Sequence, residues 1–322
     1  MRDFIRRMGL GAALAAVALT PALLPGQARA EKFINILTGG TSGVYYPLGV
    51  GLSKIYGDAM PGTKVQVQST KASVENLNLL EQGRGELAFA LGDSVKLAWE
   101  GDPEAGFKHK LDKLRGIAAI YPNYIQIVAS KDSGIHTLAD LKGKRVSVGA
   151  PKSGTELNAR AIFAAAGMSY KDLGQVQYLP FGESVELMKN RQLDATLQSA
   201  GLGVSSIKDL ASSIPITIVA VPKAVAEKLG APYVSEPIPA GTYDGQTADV
   251  ETVAVVNFLV TRKGVSDEAA YEMTKLLFTN LKTLEASHKA AARIKLANAL
   301  KGMPIPLHPG AAKFYKEQGL LK

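Results

Sequence analysis

Residues 33–58 read FINILTGGTSGVYYPLGVGLSKIYGD. The run 33–37 is apolar and β-branched around Asn35, the composition of a strand. Pro47 is tolerated only in the first turn of a helix, so a helix must start near Val44 or Tyr45 and run to about residue 58. Between the two lie Thr38, Gly39, Gly40, Thr41, Ser42 and Gly43. A strand that passes through a glycine-and-hydroxyl turn into a helix is half of a βαβ unit, the building block of parallel sheets covered by helices.

The alternation continues outward. Strands are expected at 64–68, 86–91, 115–120 and 125–129, the last two separated by Tyr121-Pro122-Asn123. Val74, Leu77 and Leu80 recur at helical spacing and predict a helix over 74–82. A second series then starts over, with strands at 145–148, 176–179, 195–198 and 216–221 and helices at 156–166, 184–190 and 205–211. The pattern predicts an α/β protein of two doubly wound lobes, with parallel sheets, joined by two crossover strands with a ligand cleft between them. IQIVASKDSGI (125–135) and FLVTRKGV (258–265) each lead from a β-rich run through basic residues into a glycine turn, which marks them as the crossovers. Lobe one then takes residues 31–122 plus 250–322, and lobe two residues 123–249. The C-terminal segment, helical and rich in Ala, Leu and Lys, is expected to pack on lobe one.

Composition bounds the function. Cysteine is absent, which excludes a disulfide scaffold, thiolate metal sites and a cysteine nucleophile. His109, His136, His288 and His308 show no metal-ligand spacing, and no metal or cofactor is expected. Arg2, Arg6 and Arg7, an apolar run over 8–24 and Ala28-Arg29-Ala30 compose a signal peptide over 1–30, cleaved after Ala30, so the expected location is the periplasm. The 322-residue chain carries a net charge of +8. Without the leader, which holds four basic residues and one acid, 292 residues and +5 remain. The surplus is scattered apart from clusters at 108–115 and 142–145, neither interleaved with aromatics, so nucleic acid is not an expected partner. The longest later apolar run, 253–260, is interrupted by Asn257 and has strand length. The chain is expected to act as a monomer.

In open α/β sheets ligands collect beyond the carboxyl ends of strands. Four such loops are chemically unusual. The first, 38–43, precedes a helix N-terminus whose free N–H groups and dipole favour an anion; a plain glycine turn with a capping serine is the alternative. The second is Gln68-Ser69-Thr70-Lys71-Ala72-Ser73. Ser73 can cap the helix that follows, and Lys71 either pairs with a ligand carboxylate or is simply solvated. The third, 149–156, sets Ser153 and Glu156 at capping-box spacing and repeats the first loop's design. The fourth, 198–203, is small and flexible, with Gln198 able to hydrogen-bond a ligand. No GxSxG elbow or Gly-Lys-Ser/Thr phosphate loop occurs, and the chain is not read as an enzyme. An exported enzyme acting on a small carboxylate, or an immunogenic or adhesive surface protein, is the alternative.

Taken together, TGGTSGVYYPLG (38–49), STKASVENLNLLEQGRGELAFA (69–90), PKSGTE (151–156), IPAGTYDGQTADVETVAV (238–255) and PIPLHPGAAKFYKEQG (304–319) resemble the TAXI family, the extracytoplasmic solute receptors of TRAP transporters. The resemblance implies a type II periplasmic binding-protein fold. It also implies delivery of a small organic anion, glutamate-like or dicarboxylate, to a TRAP-type permease driven by an ion gradient. It assigns Thr41, Ser42, Gly43 and Tyr45, then Thr70, Ser73 and Asn76, and in lobe two Ser153, Gly154 and Thr155 as contacts. Tyr45, with Tyr121 and Tyr243, would shield the ligand's apolar part. Leu91-Gly92-Asp93 departs from the family's Gln-Ser-Asp, and Lys71 stands where a small residue is usual. His308 and its PLHPGA segment are read as structural.

Overall fold

The computed structural model describes residues 32–322. The expected leader and its cleavage point after Ala30 lie outside the described residues. The first lobe opens with β1 (Lys32–Leu37), α1 (Tyr45–Ala59), β2 (Thr63–Gln68), α2 (Ser73–Glu81), β3 (Leu87–Leu91) and α3 (Gly92–Glu100). The long β4 (Leu114–Ser130) leads into β5 (Arg145–Ser147), α4 (Gly154–Ala165), β6 (Gln175–Gln177) and α5 (Phe181–Lys189). Then come β7 (Ala195–Ala200), α6 (Ser205–Ser213), β8 (Ile216–Val219), α7 (Lys223–Leu229) and β9 (Val234–Ser235). The chain returns through β10 (Val253–Arg262) and ends in α8 (Asp267–Thr279), α9 (Leu281–Ser287) and α10 (Pro309–Glu317).

The strands lie in the order β2-β1-β3-β10-β4-β7-β5-β6, with β8 against β4 and β9 against β10. Within each lobe the neighbours β2-β1-β3 and β7-β5-β6 are parallel, as helical crossovers require. The two long strands correct the all-parallel expectation. β10 runs antiparallel to β3 and β4, and β4 runs antiparallel to β7 and β8. A strand arriving from the other lobe enters against the direction of the strands already there. Residues Leu114 to Tyr124 of β4 pair with β10, and Tyr124 to Ala129 pair with β7.

β4 also corrects the break expected at 121–123. The strand runs through Pro122, which stands opposite Val256. The register shifts between Val256 and Phe258, and this bulge absorbs the irregularity a proline brings. Asn257 sits in the bulge, and its Nδ2 donates to the Tyr121 carbonyl (2.8 Å) and to Asn123 Oδ1 (2.7 Å). A helix not anticipated from sequence, α3, begins at Gly92, where the strand reading ended.

Three buried clusters fill the lobes. Tyr45, Leu48, Leu52 and Tyr56 of α1 meet Phe89, Tyr121 and Leu259 beneath the C-terminal helices. Val74, Leu77 and Leu80 of α2 cover the other face with Phe107 and Phe258. Ile125, Ile127, Val146, Ile162, Phe163 and Leu197 form the core of the second lobe. Full burial of each such side chain stabilises by about 1.5–3 kcal/mol. The C-terminal helices pack on α1 and β4. His308 holds them there. Its Nδ1 accepts from Gly310 N–H (3.2 Å) at the start of α10, while its Nε2 lies 3.0 Å from the Val265 carbonyl.

Candidate functional site

A cavity of about 380 Å³ lies between the lobes. That is at the small end of the ~300–1,000 Å³ usual for ligand sites. Four helices point their N-termini at it: α1 and α2 from the first lobe, α4 and α5 from the second. Residues Thr41 to Tyr45, Ser69 to Ser73, Ser153 to Thr155 and Pro180 to Glu183 line it. The first turn of any helix carries N–H groups without an intrahelical acceptor. No side chain caps α1, α2 or α5. At α4, Ser153 Oγ accepts only from Glu156 N–H (3.1 Å).

The local sequence explains each of these starts. Pro47 fixes α1, as expected. Ser73 does not cap α2, contrary to expectation. Ala72 takes φ 71°, a left-handed conformation that turns the chain sharply into the helix. Ser73 thereby becomes the first helical residue, and its Oγ accepts from Leu91 N–H (3.1 Å), tying α2 to the end of β3. The Ser153–Glu156 box is half formed. The Glu156 carboxylate turns instead to Arg160 (2.7 Å) and Tyr170 (3.0 Å). Pro180 starts α5 three residues earlier than the apolar spacing indicates, which brings Phe181 and Gly182 into the wall.

Hydrogen bonds tie much of the rear wall together. The Tyr45 hydroxyl donates to Asn257 Oδ1, and its ring stacks on Phe89 with centroids 5.1 Å apart. Asn123 Nδ2 donates to the Ser199 carbonyl (2.8 Å). Burial pushes the Tyr45 and Tyr121 hydroxyls well above the ordinary tyrosine range, so both keep their protons. Tyr121 Oη and Ser199 Oγ, in this wall, are buried with no partner. Lys71 and Glu183 are the charged side chains among the lining residues, and no histidine is among them.

Eleven of the fourteen residues singled out from sequence line this one cavity: Thr41, Ser42, Gly43, Tyr45, Thr70, Lys71, Ser73, Tyr121, Ser153, Gly154 and Thr155. The other three lie behind it. Asn76 is fully buried, and its Nδ2 donates to the Thr38 (2.7 Å) and Phe89 (2.9 Å) carbonyls while its Oδ1 accepts from Thr70 (2.6 Å). It shapes the second loop from below. Gln198 faces away, its Oε1 accepting from Ser206 (2.6 Å), because strand alternation turns the neighbouring Ser199 to the wall instead. The Tyr243 hydroxyl donates to Gln126 Oε1 and accepts from Gly203 N–H (3.1 Å), so it braces the fourth loop. Sequence reasoning passed over Asn123, Ser199 and Phe181. A signal for the first was the Asn257 interruption in an apolar strand, which needs a polar partner nearby.

The lobes are in contact around the cavity. Glu75 N–H donates to the Lys152 carbonyl (3.1 Å), and Ser205 Oγ donates to the Ser42 carbonyl (2.9 Å). A Cβ added to Gly154 would fall 2.6 Å from Leu91 Cδ1 and 2.7 Å from Ser73 Oγ, so α4 abuts the first lobe directly. The cleft is closed. Chemically, it offers converging backbone N–H groups and hydroxyls, one cation at Lys71, one carboxylate at Glu183 and apolar cover from Phe181, Leu91 and Tyr45. That set suits a small anion with an apolar body. Among the described residues no group of His, Asp and Glu could hold a metal ion, and no helix is long and apolar enough to cross a membrane.

Comparison with known proteins places this arrangement in context. The model of the NMT1-like family matches residues 36–319. The fold is similar to that of the alkanesulfonate-binding protein SsuA from Xanthomonas axonopodis pv. citri, solved bound to MOPS. That likeness has a TM-score of 0.50 and 18% identity, over 90% of this chain and 94% of that chain. An L-cystine ABC transporter assignment from Listeria monocytogenes gives a TM-score of 0.51 at 15% identity, over 82% and 98%. A structure described as a periplasmic transporter gives 0.56 at 11% identity, over 90% and 93%. At these identities the likeness is one of fold.

Proposed function

The chain belongs to the NMT1-like family, and from that premise we propose that it is a periplasmic solute receptor which closes on one small organic anion in the cavity between its lobes. The observation that carries this reading is the convergence of four helix N-termini, two from each lobe, on one closed cavity. A single N-terminus is a common accident of packing. Four that meet, three without a side-chain cap, leave a concentration of N–H donors that an anion satisfies. In this reading the loops 41–43 and 153–155 grip the anionic group, Thr70, Lys71 and Ser73 assist, and Tyr45 and Phe181 cover the apolar part. The solute is a glutamate-like amino acid or a dicarboxylate. The two-lobe division at 122–123 and 249–250 makes the β4–β10 crossing the hinge.

The resemblance of the first loop and of the PLHPGA segment to TAXI receptors supports a TRAP-type permease as the membrane partner. The fold likeness to the Listeria protein assigned as an L-cystine ABC transporter supports an ATP-driven permease as the second reading. Residues 1–30 would direct export, and the receptor performs no chemistry on its solute.

Calorimetry of the mature protein against a panel of amino acids, dicarboxylates and alkanesulfonates tests the proposal. The expected result is saturable binding of one carboxylate class. Silence across all small anions would overturn it, and tighter binding of sulfonates would replace the solute class. A vesicle uptake assay with candidate TRAP-type and ABC-type permeases separates ion-gradient from ATP dependence.

A further inference from the structure

Behind the cavity wall, outside its lining, a carboxylate is buried across the junction of the lobes. Asp93 stands in the first turn of α3, just beyond the carboxyl end of β3, and is 6% exposed. The other buried acids have cations: Glu81 pairs with Lys113 and Glu156 with Arg160. Asp93 has no ion-pair partner among the described residues. Its hydrogen bonds come instead from the opposite lobe. Asn158 Nδ2 and the Tyr233 hydroxyl each donate to Oδ2 at 2.6 Å. Asn158 Nδ2 also donates to the Tyr233 hydroxyl at 2.9 Å, closing a triangle. On its own side Asp93 Oδ1 accepts from Ser94 N–H at 2.7 Å.

Burial pushes the Asp93 carboxyl above its usual range while the hydrogen bonds from Tyr233 and Ser94 pull it back, and a buried carboxyl group deprived of such donors is costlier still. Both donors to Oδ2 leave when the lobes part, and water then replaces them. The triangle is therefore an interaction that exists only in the closed form. It also has leverage. Asn158 lies one turn along α4 from Gly154 and Thr155, so fixing Asn158 sets the position of the N-terminus that lines the cavity. Beside the β4–β10 crossing Arg293 also reaches Glu236 (2.9 Å) and the Tyr124 hydroxyl (3.3 Å), and Asn257 reaches Asn123. Away from that crossing the other cross-lobe bonds, from Glu75 N–H, Ser205 Oγ and Arg160 Nη1, end on backbone carbonyls.

We infer that Asp93, Asn158 and Tyr233 form a clasp that holds the cleft closed, Asp93 being a positioning residue that seats α4 against the cavity without touching the solute. The inference rests on the reading of a cleft that opens and closes, and not on the identity of the solute.

Because the chain lacks cysteine, Lys54→Cys and Lys171→Cys, both on exposed surface, give a clean spin-labelled pair spanning the lobes. Pulsed electron resonance on the mature, solute-free protein then reads the inter-lobe distance distribution. Tyr233→Phe and Asn158→Ala are each expected to lower the closed-to-open ratio about tenfold, the worth of one hydrogen bond to a charged group. The double variant should add little to either single one, since the triangle acts as a unit. Ser205→Ala, which removes an exposed cross-lobe bond to the Ser42 carbonyl, should leave the distribution within about threefold of the parent. Thermal melting of each variant confirms folding, and Tyr233→Phe keeps the ring and its packing if Asn158→Ala does not fold. Distributions identical in parent and clasp variants, short or long, overturn the clasp. Since no solute is present, silence in the carboxylate panel leaves this result standing, and binding with unmoved distances removes the clasp alone.

Discussion

Gly154 gives the account its sharpest test. It is the first residue of α4 and abuts the first lobe, where an added Cβ would fall 2.6 Å from Leu91 Cδ1, 2.7 Å from Ser73 Oγ and 2.9 Å from Ser73 Cβ. Ordinary contact begins near 3.4 Å, so Gly154→Ala requires the two lobes to separate by several tenths of an ångström or the Leu91 and Ser73 side chains to give way. Overpacking of this kind costs about 1–3 kcal/mol. The neighbours belong to the opposite lobe, so the open form does not bear that cost. At about 1.4 kcal/mol per tenfold, the closed form and the solute affinity should fall by roughly 5- to 150-fold. The fold itself should not suffer. The Gly154 backbone is outside the left-handed region, so alanine adopts it without strain. The assay is calorimetry with the tightest member of the carboxylate panel, alongside a thermal melt of the solute-free protein. Undiminished affinity, or a melt lowered in step with the affinity, would refute the reasoning that this contact limits closure.

Three further outcomes are expected. Lys71→Ala should weaken solute binding about three- to fivefold and flatten its dependence on salt, as removal of an exposed cation near an anion does; a calorimetric salt series checks this. His308→Ala should cost about 2–4 kcal/mol by urea unfolding, because it removes the α10 cap and leaves the Val265 carbonyl unpaired. Burial holds the His308 imidazole below its usual range, so its contribution is full above the ordinary histidine pKa and is lost as pH falls through the lowered one; parallel urea titrations between neutral and mildly acid pH would show it. Hydrogen bonds from Arg145 hold the Asp194 carboxyl below the usual carboxylate range, as hydrogen bonds from the His136 and Ser169 backbones hold Asp140 and Asp172. Each therefore stabilises above the ordinary aspartate pKa and loses its effect as pH falls below it. Melting temperature against pH should show an acid limb that Asp194→Asn makes shallower.

The path from sequence to site succeeded where a residue permits few conformations. Pro47 and the glycines around Thr41 leave little choice about where α1 starts, and the second lobe repeats that grammar at Ser153. It failed where the decisive partner is distant in sequence. Pro122 reads as a break because a proline inside a strand lacks a donor; the bulge opposite it, and Asn257 within that bulge, lie more than a hundred residues away. Gly92-Asp93-Ser94 reads as the end of a strand because α3 is nine residues long and half buried. What Asp93 does there depends on Asn158 and Tyr233, which no local pattern connects to it. Gln198 was placed in the cavity by its loop and removed from it by strand alternation. Asn76 and Tyr243 are polar groups beside the site that turn out to be satisfied by the protein itself.

The central claim is that two glycine-and-hydroxyl loops, one per lobe, close on the anionic end of a solute. A crystal structure of the mature protein with the tightest carboxylate of the panel tests it most directly. The account predicts a carboxylate within about 3 Å of backbone N–H groups from both 41–43 and 153–155. A solute bound outside the cavity, or held by one lobe only with the other loop turned away, would contradict it.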